Sequence, residues 1–335
     1  MNIGKGCYKF EVVPPSQQHY PPLFPSSALS ATYIIHLEGN GRIDGVYEQL
    51  RKFRPTFDVY VVHNRGFKIC RKAKHVRSTL TDIIDANLRI FEHADSVGYD
   101  EILVLEDDFF FDRRIRSEPV HVARVSEFLI ERRDTPFTYL LGTLPLWGVP
   151  ILGSHPHTYR TLFTMGMHAC IYNKYTRRLV SNGYDPATID DWDIFTNCLP
   201  FPRYMYSQPL CLQLFRHTDN RRNWRLAWKH MDFVSDTGSW LMDQLDLQNT
   251  HSKGYAFFYC SSRATLPLLI VALCVCIILC IRSPPKSVGS KIKMVMGVVF
   301  FVVIATIIVG ISAVLKEGWT EQNKYIKNKS LRSRD

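Results

Sequence analysis

Two stretches near the C-terminal end of the chain carry no charge. Ala264–Ile281 and Met294–Leu315 hold only apolar, small and hydroxyl or thiol side chains, without one Asp, Glu, Lys or Arg. Each is close to the roughly 20 residues that cross a hydrocarbon core. A helical hairpin buried in a soluble domain keeps polar residues along one face, and neither stretch does. The sequence therefore predicts a transmembrane helix over 264–281, a basic loop over 282–293, a second transmembrane helix over 294–315 and a basic tail over 316–335. The loop carries Arg282, Lys286, Lys291 and Lys293, and the tail carries Lys316, Lys324, Lys327, Lys329, Arg332 and Arg334. Both flanks are basic, so the positive-inside rule leaves the orientation open.

The first 30 residues hold Pro14, Pro15, Pro21, Pro22 and Pro25 and lack a basic start followed by an apolar core. They do not form a signal peptide and read as an irregular, Pro-rich leader. The expectation is an integral membrane protein whose long N-terminal domain faces the cytosol. A hairpin returns the tail to that side, where the sequon Asn328-Lys329-Ser330 would go unmodified.

Composition narrows the class further. With 335 residues, 46% apolar and 13% aromatic, the chain has the material for a packed core, which excludes disorder for its bulk. A net charge of +10 suits anionic partners such as nucleoside diphosphates, acidic lipids or nucleic acid, and does not choose among them. Of nine cysteines, Cys274, Cys276 and Cys280 sit inside an apolar run, where a thiol behaves as a small hydrophobe. Cys7, Cys70, Cys170, Cys198, Cys211 and Cys260 show neither a CxxC pair nor metal-ligand spacing. They read as reduced thiols.

Residues 31–250 have single-domain length. Ala31–Leu37 reads as a buried strand, followed by a helix near Ile43–Phe53; Phe57–His63 is a second strand. Leu80, Ile83, Ile84, Leu88, Phe91 and Ala94 recur at helical spacing over Thr79–Val97, with Thr79 or Thr81 as the cap. Glu101–Leu105 is a third strand. Strands alternating with helices predict an α/β fold with a mostly parallel sheet flanked by helices, and ligands in such sheets bind beyond the carboxyl ends of the strands.

The third strand runs into Glu106-Asp107-Asp108. Crowding like charges costs free energy unless a cation compensates, and Mg²⁺ or Mn²⁺ prefers oxygen ligands shared with substrate phosphates. On an extended backbone Glu106 and Asp108 point to one side and Asp107 to the other. A solvated turn capping the next helix is an equally weighted reading of the triplet alone.

The wider pattern breaks the tie. Ile34-Ile-His-Leu37 with Arg42, Val104-Leu-Glu-Asp-Asp108, Gly166-Met-His-Ala-Cys170, Ile189-Asp190 and the segment Tyr204–Gln213 occur in an order that resembles the family 25 glycosyltransferases, which include lipopolysaccharide and procollagen galactosyltransferases. The resemblance covers about Ala31–Leu214. It departs in Asp82–Phe91, where the family often has a Cys and Ser-His, and in Cys170, which stands where the family has Tyr.

That resemblance implies a GT-A-type fold, a UDP-sugar or similar nucleotide-sugar donor, Mn²⁺ or Mg²⁺, and an inverting transfer of a hexose to a glycan, lipid or protein hydroxyl. Asp108 is then the principal metal ligand with Glu106 beside it. Arg42, Glu106 and Asp107 serve the donor, Asp190 is the candidate base, and Asp191 is the runner-up. Each acid of Ile189-Asp-Asp-Trp-Asp193 also suits a helix N-terminus, and Arg42 also suits a surface salt bridge.

Other residues carry weaker signals. His168 reads as a hydrogen-bonded core histidine, His217 and Asp219 as marginal additions to a metal shell, and His155-Pro-His157 lacks the further ligands a zinc site needs. Asn220–His230 places Trp224 and Trp228 on one helical face and Arg221, Arg225 and Lys229 on another, which favours a helix in the lipid interface over phosphate binding. No nucleic-acid partner is expected, since no recognised module is present. Two alternatives to an active transferase remain: a catalytically inactive membrane scaffold or envelope protein of the same fold, and a metal-dependent nucleotidyltransferase or phosphoesterase.

Overall fold

A computed structural model describes residues 5–15, 21–151, 153, 155, 157–207 and 209–213, then 240, 244, 251–282 and 288–332. The chain divides into two units, Met1–Thr143 with Gly148–Met231, and Leu144–Trp147 with Asp232–Asp335.

The first unit begins with a one-turn 3₁₀ helix, Lys5–Cys7, and strand β1 (Tyr8–Val12). The main strands then alternate with helices in the order β2 (Ala31–Leu37), α1 (Ile43–Lys52), β3 (Asp58–Asn64), α2 (Thr79–Val97) and β4 (Glu101–Glu106). Short elements follow: β5 (Phe109–Phe111), α3 (Arg114–Ser117) and α4 (Val120–Arg132). A long pair, β6 (Thr138–Pro150) and β7 (Thr158–Asn173), leads to α5 (Lys174–Gly183), α6 (Trp192–Asn197), β8 (Arg203–Tyr206) and β9 (Cys211–Gln213).

These strands form a mixed sheet in the order β1-β3-β2-β4-β7-β6-β8. Its centre is parallel: β2 pairs with β3 from Ala31 opposite Asp58 to Leu37 opposite Asn64, and with β4 from Ala31 opposite Ile102 to Ile35 opposite Glu106. Such strands need crossover helices, which α1 and α2 supply. Antiparallel β1 closes one side on β3, and antiparallel β7 continues the sheet beyond β4. A separate two-stranded sheet pairs Phe109 with Gln213. The central strands read as near-continuous apolar runs because they are covered on both faces. Ile34, Leu103, Leu105 and Ile171 join one core cluster with Val46 and Leu50 of α1 and Phe128 of α4. Tyr172 points the other way along its strand and meets Phe91 of α2, ring centroids 5.1 Å apart.

Local chemistry explains the helix ends. Ser78 caps α2, accepting from Thr81 N, and Thr81 answers with its own hydroxyl in a capping box. The cap is thus Ser78, not Thr79 or Thr81. Gly98, at φ +87°, closes the same helix in the left-handed conformation.

Two sequence expectations are corrected in the first 70 residues. The leader is not wholly irregular: Tyr8–Val12 adds a strand to the sheet, and Arg54, buried, donates to the carbonyls of Val13, Pro14, Thr56 and Phe57. Leu23 and Phe24 are further held by Arg54 and Pro55 carbonyls. The cysteines are not all reduced: Cys7 and Cys70 form a disulfide across a separation of 63 residues. Pairing between distant cysteines leaves no trace in local spacing, which is why the sequence did not disclose it.

The second unit contains α7 (His251–Arg282, with Pro267 inside it) and α8 (Val288–Arg332). Within them Tyr259–Ile281 and Lys293–Lys316 are long and apolar enough to cross a membrane. The two helices approach closely at Gly310, where an added Cβ would lie 2.3 Å from Ser261 Oγ. A small residue at the contact is what lets apolar helices pack backbone to backbone.

Candidate active site

The site grows from the carboxyl ends of β2 and β4. Register places Glu106 beside Ile35, and the chain turns at Asp107 and Asp108 before β5. Beside it, the loop from β2 to α1 is bent by Gly39 and Gly41, both at positive φ (83° and 74°), a conformation glycine adopts without steric cost. That bend turns Asn40 and Arg42 back toward the acids.

Asp107 fastens the loop. Its Oδ2 accepts from His36 Nδ1 at 2.9 Å, the Leu37 amide at 3.1 Å and Asn40 Nδ2 at 2.6 Å, and its Oδ1 accepts from Arg42 Nη1 at 2.9 Å. Burial pushes this carboxyl up, but the His36 hydrogen bond, the Arg42 charge and the Asn40 amide outweigh it and hold it below the usual range. Asp107 lines the cleft, yet both of its oxygens are engaged by protein donors.

Glu106 and Asp108 are in the opposite condition. Burial raises both; Asp108, Asp193 and Asp107 press further on Glu106, and Asp107 presses on Asp108. Against this stand Arg42, 3.5 Å from Asp108 Oδ2, and the Gln213 amide at 3.2 Å. Asp108 is 2% exposed, so solvent does little to screen it. Two acids held short of positive charge at a strand end match the preference of a hard divalent ion for one or two carboxylates plus substrate phosphates. Among the described residues no group of three or more His, Cys, Asp or Glu is placed to cage a metal. Glu106 and Asp108 therefore fit an ion shared with a phosphorylated ligand, not one enclosed by protein alone.

The cleft they line holds about 110 Å³ and is also lined by Asn40, Arg42, Asn64, Thr79 and Asp82. Pockets that enclose whole drug-sized ligands run to roughly 300–1,000 Å³, so the enclosed part of this open cleft matches an ion with a phosphate group, and the rest of a larger phosphorylated ligand would extend beyond it. Asp82 contributes no free charge there: Lys72, buried, pairs with it and donates also to Asn64 Oδ1 at 2.6 Å. Burial lowers the Lys72 ammonium and the Asp82 hydrogen bond resists that shift.

The structure thus brings Arg42, Glu106, Asp107 and Asp108 to one cleft. It places the downstream acids differently. Asp190 is exposed, and Asp191 caps α6 by accepting from the Ile194 amide at 2.9 Å. Asp193, not singled out by sequence, turns inward. It accepts from the Gly166 and Met167 amides at 2.8 and 3.4 Å, and burial pushes it up to about 6. Its place in the first turn of α6 was readable as a dipole acid; the inward direction was not.

Gln213 is the other residue missed. It is positioned through β9, which packs so tightly on β6 that a Cβ at Gly142 would lie 2.1 Å from the Cys211 carbonyl oxygen. His168 is buried in the same contact, its Nδ1 2.8 Å from the Gly166 carbonyl and its Nε2 3.3 Å from that of Cys211. It is a core histidine. His155 pairs with Glu131 at 2.7 Å. His217, Asp219 and the segment 220–230 lie outside the described residues.

No family model matches the chain, and no curated protein matches it. Among solved structures, apo-UDP-glucose pyrophosphorylase aligns with a TM-score of 0.30 and 8% identity over 55% of this chain and 75% of its own. UDP-glucose pyrophosphorylase complexed with UDP-glucose aligns with a TM-score of 0.29 and 9% identity over 52% and 72%. Likeness at that level carries no weight for either fold or function.

Proposed function

We propose that the first unit is a nucleotide-sugar-dependent glycosyltransferase that moves a hexosyl group to a hydroxyl of a glycan, lipid or protein, anchored by α7 and α8. The observation that carries this reading is the pair Glu106 and Asp108, both pushed up by burial and neighbouring carboxylates at the carboxyl end of β4 and lining a cleft with Arg42. The choice of sugar transfer over other phosphate chemistry rests on the ordered resemblance to family 25.

Glu106 and Asp108 would hold Mg²⁺ or Mn²⁺, which when bound neutralises the diphosphate leaving group as a Lewis acid. Arg42, fixed by Asp107, adds a guanidinium suited to phosphate oxygens. Asp107 sets the loop and orients Arg42. An acid that takes the proton of the acceptor hydroxyl completes the set; Asp190 is proposed for it, exposed and uncommitted to the α6 cap, with Asp191 second.

A thermal-shift panel of sugar nucleotides with and without Mn²⁺ tests the reading. Stabilisation by one UDP-sugar only when the ion is present is the expected result, lost in Asp108→Ala. Equal stabilisation with and without the ion, or in that variant, overturns the site. Asp190→Asn is expected to lower turnover far more than donor affinity; equal loss of both removes Asp190 from the chemistry.

A further inference from the structure

The Cys7–Cys70 disulfide ties the start of the first unit to the segment between β3 and α2. Bridges of this kind persist in oxidising compartments and are rare where glutathione keeps thiols reduced. Beyond the first unit the chain runs through two apolar helical windows that are only 6% and 17% buried. A core helix of a soluble domain is mostly buried and a leader lies near the N-terminus, so neither describes them. Two crossings return the tail to the side of the first unit. The loop between the crossings carries Arg282, Lys286, Lys291 and Lys293 and no acid, whereas the fifteen residues before Tyr259 hold one cation, Lys253. Short, cation-rich loops stay in the cytosol. The tail carries six cations of its own, so charge leaves the orientation open; the disulfide places the first unit and the parity of the crossings places the tail with it.

We propose that the first unit and the tail lie on the oxidising side of the membrane, with the loop in the cytosol, and that Asn328 is an N-glycan acceptor there. Asn328-Lys329-Ser330, in the last turns of α8, is the chain's one Asn-X-Ser/Thr sequence, the acceptor pattern for N-glycosylation. Bridge formation passes two electrons and two protons from the Cys7 and Cys70 thiols to an oxidised dithiol by exchange. Glycosylation uses a lipid-linked oligosaccharide diphosphate. The Asn328 amide nitrogen bonds the anomeric carbon and the carbon–oxygen bond to phosphate breaks. The electron pair leaves on the lipid diphosphate, and the amide proton is released. The inference is independent of the transferase reading.

The full chain, made in cells with a secretory pathway, tests both halves. In sealed microsomes a membrane-impermeant maleimide is expected to label a Lys286→Cys variant from outside. Cys7 and Cys70 should stay unlabelled after detergent until a reductant is added. Labelling of Cys7 and Cys70 in intact microsomes without reductant, with Lys286→Cys protected, overturns the orientation. A one-glycan mobility shift removed by endoglycosidase, absent in Asn328→Gln and in Ser330→Ala, is expected. An unshifted wild-type chain whose first unit is protected overturns the acceptor assignment and leaves the orientation standing.

Discussion

Asp107 accepts from four donors while 8% exposed, so its removal takes an acceptor from His36 and Asn40 and the nearer of two carboxylates from Arg42. Breaking a buried charge pair from one side costs about 3–5 kcal/mol. Asp107→Ala is expected to lose stability of that order in chemical denaturation and to weaken donor binding through a misplaced Arg42. Glu101, at the other end of β4, offers a pH test. Burial first, then Asp100, pushes it up to about 7, against Arg133, Lys174 and Arg177. Its folded pKa therefore lies above the unfolded value near 4.5, and the folded state binds the proton more tightly. Stability is expected to fall as pH rises from about 4.5 through 7. Glu101→Gln should abolish that decline, read from denaturation midpoints at pH 5 and pH 8. At this scale the triplet was legible because acids ending an apolar strand are conspicuous. The division of labour within it was not, since it depends on how Gly39 and Gly41 bend a loop contributed by a different strand.

Among the elements, β2, β3 and β4 and helices α1 and α2 follow from apolar runs and 3.6-residue periodicity, which are properties of contiguous sequence. β1 was missed because Tyr8-Lys-Phe-Glu-Val12 sits beside a proline cluster, is short and is exposed at Lys9 and Val12, so no clean alternation marks it. The segment Tyr204–Gln213 entered only through the resemblance, and it divides into most of β8 and the whole of β9, whose role was not legible. Gly142 lets its backbone pass so closely that Gln213 reaches Asp108. Gly142→Ala is expected to force β6 and β9 apart, lower the melting temperature and weaken cation-dependent donor binding. Overpacking of this kind costs roughly 1–3 kcal/mol. Unchanged melting together with unchanged binding would show that β9 does not position Gln213.

For the molecule as a whole, the disulfide closes a separation of 63 residues, which in the chain-entropy account restricts the unfolded ensemble by about 4 kcal/mol. Cys7→Ser with Cys70→Ser is expected to lower unfolding stability by up to that amount under oxidising conditions. Under a reductant, variant and parent should melt together. The same part of the chain has a consequence for how the protein can be handled. β1 is the only cover that β3 has on its outer side among the described residues, and uncovered strand edges recruit other chains. A fragment trimmed to begin at the conspicuous strand Ala31–Leu37 would bare a row of unpaired amides and carbonyls along the stretch Tyr60–Asn64. Such a fragment would precipitate as self-paired ribbons for want of five residues that a motif-based boundary discards.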